Sequence, residues 1–77
     1  NPFNPVVNID FNINKSMRLD LQVLSVNGGM IADLYDGFIY PGKYSFSWSP
    51  NNLPSGIYFI RVISSNFIQS RKVIYQK

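Results

Sequence analysis

Asp10, Asp20, Asp33 and Asp36 are the only carboxylic side chains in this chain of 77 residues, which has no Glu, His or Cys. Two carboxylates about 5 to 10 Å apart across a cleft are what glycoside hydrolysis requires. Asp10 and Asp20, however, fall on the expected solvent faces of their segments, and nothing in the pattern predicts a cleft. The lack of Cys and His removes zinc thiolate sites, cysteine nucleophiles, Ser-His-Asp triads and the commonest metal ligand together. Gly28 and Gly29 read as turn residues rather than a phosphate loop, because no helix follows them to receive an anion. The expectation is a protein that is not an enzyme, with no catalytic residue, no metal and no cofactor.

If chemistry is absent, recognition remains, and charge is its first determinant. The net charge is +3, unevenly spread: residues 1–36 hold all four aspartates against Lys15 and Arg18, while Lys43, Arg61, Arg71, Lys72 and Lys77 follow with no acid among them. A basic second half favours an acidic partner or an anionic surface, although charges spaced along strands also serve simple solvation. Nucleic acid fits poorly. A basic sheet with stacking aromatics is superficially suitable, but an RNA-recognition sheet needs packed helices and a signature segment that this chain lacks. Length and 45% apolar content describe one small soluble domain rather than a disordered tail. No apolar run approaches the 18 or so residues of a membrane span, and no secretory signal opens the chain. Without disulfides, a domain of this size is marginal unless a neighbouring domain steadies it.

The elements that must position any recognition surface are strands. Val7, Ile9, Phe11 and Ile13 alternate with Asn8, Asp10 and Asn12, and Met17, Leu19, Leu21 and Val23 alternate with Arg18, Asp20 and Gln22. That is the period of a strand with one wet face. Asn27, Gly28 and Gly29 accept the positive φ of a tight hairpin turn, which makes Met30 to Tyr35 the return strand. Asp36-Gly37 and Tyr40-Pro41-Gly42 read as two further turns around a short edge segment. Tyr44, Phe46 and Trp48 alternate with serines in the next strand, and their rings read as core more than as a ligand platform. Pro50 to Gly56 is a loop by composition. Ile57 to Ile63 is almost continuously apolar, as in a central strand, and Phe67 to Tyr75 forms the last strand.

Short strands with regular turns predict an all-β sandwich or small barrel, with the immunoglobulin-like antiparallel β-sandwich of about seven strands and no helix favoured. Tyr58 supports that choice, because a tyrosine just inside a strand after a tight corner can return its hydroxyl to upstream backbone. Ordinary core packing is the competing reading of the same residue. Asn1, Pro2, Phe3, Asn4 and Pro5 enforce an extended lead-in, since each proline fixes its own φ and biases its predecessor away from helix.

Four segments recur together in one known family: Asn1 to Pro5 (NPFNP), Leu21 to Leu34 (LQVLSVNGGMIADL), Gly42 to Trp48 with Asn52 to Arg61 (NLPSGIYFIR), and Arg71 to Lys77 (RKVIYQK). In this order and spacing the chain resembles the type A C-terminal sorting domain of the type IX (Por) secretion system, found on secreted proteins of Bacteroidetes and related bacteria. The family is related to the Ig-like domain of flagellar hook-capping proteins. Two departures are visible: Asn27-Gly28-Gly29 replaces the commoner G-Q-hydrophobic turn, and no Tyr precedes Asn1.

The resemblance implies that residues 1–77 form a single Ig-like sorting domain, with 1–5 a lead-in from an upstream linker. It implies a secretion signal recognised at the periplasmic face that directs a cargo protein across the outer membrane. Cleavage by a cell-surface sortase and attachment of the cargo to the surface follow in the family. The partners are then the type IX machinery, that sortase and the upstream cargo domain, and the location is secreted or cell-surface. Carried over residue by residue, the signal lies on Gly56, Tyr58, Arg71, Lys72, Val73, Ile74 and Lys77. The alternative is a structural or accessory binding module, a spacer beside a secreted enzyme or in a hook-cap-like protein.

Overall fold

The computed structural model describes residues 6–50 and 52–76. Six strands form: β1 (Val7–Ile13), β2 (Met17–Ser25), β3 (Met30–Ile39), β4 (Gly42–Trp48), β5 (Gly56–Ser64) and β6 (Ile68–Tyr75). They build two antiparallel sheets, a two-stranded ladder β1-β4 and a four-stranded sheet in the order β3-β2-β5-β6. Among the described residues there is no helix, and none therefore long and apolar enough to cross a membrane. The inner faces of the two sheets share one core, in which Ile9, Ile13 and Trp48 meet Leu19, Leu21, Val23, Tyr58, Ile60 and Val62. This is a β-sandwich of two antiparallel sheets.

The alternation sets these faces directly. Ile9 and Ile13 are buried while Asn8, Asp10 and Asn12 are exposed, and β2 buries Leu19, Leu21 and Val23 on the same principle. β2 also buries Gln22 and Leu24 on its other face, because β3 and β5 flank it on both sides. The Asn27-Gly28-Gly29 turn closes as its residue types require. Gly28 sits at φ 91°, its N–H donates to the Ser25 carbonyl at 3.0 Å, and the Ser25 N–H donates to the Gly29 carbonyl at 2.8 Å.

One expected turn does not exist. Asp36-Gly37 lies inside a continuous β3, with Asp36 opposite Asp20 and Gly37 opposite Leu19, so the described residues form six strands against the expected seven or so. The strand tolerates its glycine because the Tyr35 ring lies beside Gly37, within 3.8 Å of where a Cβ would sit, and donates its hydroxyl to the Phe38 carbonyl at 2.5 Å. Two register shifts, between Leu21 and Gln22 and between Val23 and Leu24, absorb the extra residues on the β3 side as bulges.

The corner before β5 closes one end of the sandwich. Tyr58 is buried and donates its hydroxyl to the Pro54 carbonyl at 2.7 Å, as the sequence reading of a tyrosine corner expects. The Trp48 ring stands edge-on to Tyr58 at 5.5 Å, and the Tyr75 ring lies 6.5 Å from Tyr58. Gly56 opens β5 at φ 156°, so a side chain there is strained even though an added Cβ would meet open space. The substitution Tyr58→Phe keeps the ring and strands the Pro54 carbonyl. It is expected to cost about 1 kcal/mol of stability in urea unfolding, and an unchanged midpoint would contradict the role of the corner.

Candidate functional site

Residues singled out from two separate stretches of sequence meet on one ladder. β5 and β6 pair antiparallel with Gly56 opposite Tyr75, Ile57 opposite Ile74, Tyr58 opposite Val73, Phe59 opposite Lys72 and Ile60 opposite Arg71. Among the described residues β6 is an edge strand of its sheet, so its far side carries N–H and C=O groups with no ladder partner among them. Directly opposed residues share a face, and the register therefore sorts the candidates. Val73 and Tyr75 lie on the core side with Tyr58, while Lys72 and Ile74 lie on the outer side with Phe59 and Ile57.

The outer side holds an exposed apolar step next to a cation. Ile74 is 69% exposed and Ile57 40% exposed, Lys72 is also exposed, and Phe59 is half-buried between Lys72 and Leu24 of the neighbouring strands. Tyr58 belongs to the interior, and its side chain is occupied in the corner rather than presented to a partner. Arg71 is on the core side of the sheet by register and is nonetheless exposed. Lys77 and the opening Asn1, Pro2, Phe3, Asn4 and Pro5 lie outside the described residues. Ile57 and Phe59 complete the outer surface but were not among the sequence candidates. The continuous apolar run of β5 was their signal, since a strand apolar on both faces of an edge ladder must show one of them to a partner or to water.

A family model described as a secretion system C-terminal sorting domain matches residues 1–76. No curated protein and no solved structure matches the chain.

On the opposite flank of the same outer face, β2 and β3 gather acids that sequence spacing did not unite. Carboxylate oxygens of Asp20, Asp33 and Asp36 lie within 4.8 Å of one another. Asp20 faces Asp36 directly across the ladder, a like-charge pairing that destabilises a sheet. Compensation comes from neighbours. Arg18 Nη2 donates to Asp36 Oδ1 at 2.7 Å, and Gln22 Nε2 donates to Asp20 Oδ2 at 3.0 Å. Gln22, only 6% exposed, in turn accepts from Arg61 Nη2 at 2.9 Å and from Nε at 3.2 Å, which ties β2 to β5. Asp20 Oδ1 is buried without a hydrogen-bond partner.

Partial desolvation on the sheet raises the pKa of Asp33 above the ordinary 3.8. The charge of Asp20, which can accept a hydrogen bond from Asp33 only when Asp33 is protonated, and the charge of Asp36 act in the same direction, against a backbone hydrogen bond at Tyr35. An acid whose folded pKa is raised penalises the fold fully above that pKa and not at all below the unfolded value. Asp33→Asn is therefore expected to raise the thermal midpoint at neutral pH. The gain should shrink as pH falls through the raised pKa and vanish below 3.8. A gain of constant size across that range would contradict the like-charge account.

Proposed function

Because the chain belongs to the secretion system C-terminal sorting domain family, we propose that its β5–β6 ladder is the address that carries an upstream cargo through the type IX machinery. Residues 1–77 act as one sorting unit, with 1–5 as the lead-in from the cargo. The observation that carries the proposal is the convergence of the motif segments Gly56–Tyr58 and Arg71–Ile74 on neighbouring strands, one of them an open edge. An edge strand offers a receptor main-chain hydrogen bonds, and side chains at alternate positions supply specificity. Here those side chains are Lys72 and Ile74, with Ile57 beside them.

Within this reading the candidates divide their work. Gly56 and Tyr58 set the corner from which β5 starts, and Val73 anchors β6 against the core. Lys72, Ile74 and Lys77 meet the receptor. Recognition takes place at the periplasmic face, the cargo crosses the outer membrane, and a cell-surface sortase then removes the domain and attaches the cargo to the surface. The domain is a substrate of that enzyme and has no catalysis of its own, consistent with a chain lacking Glu, His and Cys.

The test is export. Residues 1–77 fused behind a periplasmic reporter are expected to carry it to the surface or medium in a host with type IX machinery, and reporter retained in the periplasm would overturn the proposal. Deleting Arg71 to Lys77 would remove most of a strand and confuse signal with fold. The charge reversals Lys72→Glu and Lys77→Glu avoid this. With an unchanged circular dichroism spectrum, the double variant is expected to leave most of the reporter in the periplasm. Export at the parent level would place recognition elsewhere.

A further inference from the structure

A ladder of two strands facing a sheet of four leaves inner surface uncovered on both sides, and the sides are closed differently. Toward β3, aromatic rings fill the space: Tyr35 lies 5.5 Å from Phe46, which also contacts Phe11 at 6.2 Å and Tyr44 at 6.5 Å. Toward β6 there is a groove of about 400 Å³, walled by Ile9 and Phe11 of β1, Ile60 and Val62 of β5, and Gln69 and Arg71 of β6. Gln69 and Arg71 oppose the buried Val62 and Ile60, so they sit on the core side of their sheet, yet both are exposed. No ion pair forms at Arg71 among the described residues.

The rim of this groove is a strand edge that no other described residue pairs with. Among the described residues β1 pairs only with β4, in unbroken register from Val7–Trp48 to Ile13–Gly42. It contains neither a bulge nor a proline, two of the devices that protect edges, whereas β3 at the far edge of the other sheet carries two register shifts. Its outward residues beside the open edge include the exposed Asp10.

The geometry points to a missing strand: an extended segment of a partner polypeptide pairs with the free edge of β1 and roofs the inner face of β6. Main-chain hydrogen bonds continue the β1-β4 ladder, as in other strand-addition complexes. The side chains are specified by what they meet. Inward residues are apolar where they reach Ile9, Phe11 and Val62, with a carboxylate between them for Arg71, and outward residues next to Asp10 are basic. A second copy joined through its own β1 does not fit. Its β5 underlies its own β1, and pairing the two β1 edges would drive that β5 into the position of β6.

The inference is independent of the export reading and is tested on the purified 77-residue chain. The probe is a blocked heptapeptide, Thr-Val-Lys-Glu-Lys-Val-Thr, which places Val, Glu and Val on one face and lysines on the other. Its charge-swapped counterpart is Thr-Val-Glu-Lys-Glu-Val-Thr. Titrating the first into nitrogen-15-labelled protein is expected to give saturable shifts centred on Val7–Ile13 and on the Arg71 side chain. The second peptide is expected to bind about fivefold or more weakly, and Arg71→Glu to narrow that gap, since the lysines facing Asp10 still favour the first peptide.

No saturable binding up to millimolar peptide, shifts confined to the edges of β6 or β3, or equal affinity for the two peptides would each overturn the inference. The peptide comparison on the parent protein decides the matter even if Arg71→Glu does not fold. Failed export with intact peptide binding would count against the sorting proposal alone.

Discussion

The coverage of one sheet by a narrower one governs this molecule. Four strands present a continuous inner face, and β1 and β4 can lie over only part of it. The remaining inner face must be closed by side chains, left wet or covered by something else, because buried apolar area is the main favourable contribution to a domain of this size. Each boundary has its own answer. Rings of Tyr35, Phe46 and Tyr44 close the β3 side, Trp48, Tyr58 and Tyr75 close the end at the corner, and among the described residues the β6 side stays open.

That asymmetry explains why β6 is suited to display. A central strand such as β5 is held by two ladders, while β6 is held by one, with Val73 and Tyr75 as its inward anchors. Every other residue of β6 is turned to solvent, whichever face it occupies. The outward Lys72 and Ile74 and the uncovered Arg71 are therefore presented by a strand whose place is set from the other side, through the Gly56–Tyr75 end of the ladder and the hydroxyl of Tyr58. A small number of interior contacts thus orients a comparatively large exposed surface.

Much of this was legible before any coordinates, and the reasons are local. Strict alternation in Val7–Ile13, Met17–Val23 and Tyr44–Trp48 leaves one way to bury the apolar set, and Asn27-Gly28-Gly29 leaves one place to turn. The corner tyrosine was legible from its position just after a Pro- and Gly-containing loop. Asp36-Gly37 misled because composition marks a turn there, while the Tyr35 ring and two bulges, which are tertiary features, carry the strand through. The convergence of Asp20, Asp33 and Asp36 was hidden for the same reason, since it depends on a register that the bulges shift. Arg71 was legible as a basic residue near the end of the chain but not as one on the core side, which follows only from its pairing with Ile60.

The central claim is that β1 and β6 are open edges on the same side of the sandwich, around a firmly held β2 and β5. Residue-resolved amide hydrogen exchange on the 77-residue chain tests it most directly, because protection reports how far the fold must open to free each N–H. Alternate amides of β1 and β6 are expected to exchange quickly, while those of β2 and β5 wait for global unfolding. Uniform protection along β6 equal to that of β5 would contradict the account, since a strand so protected has no free edge.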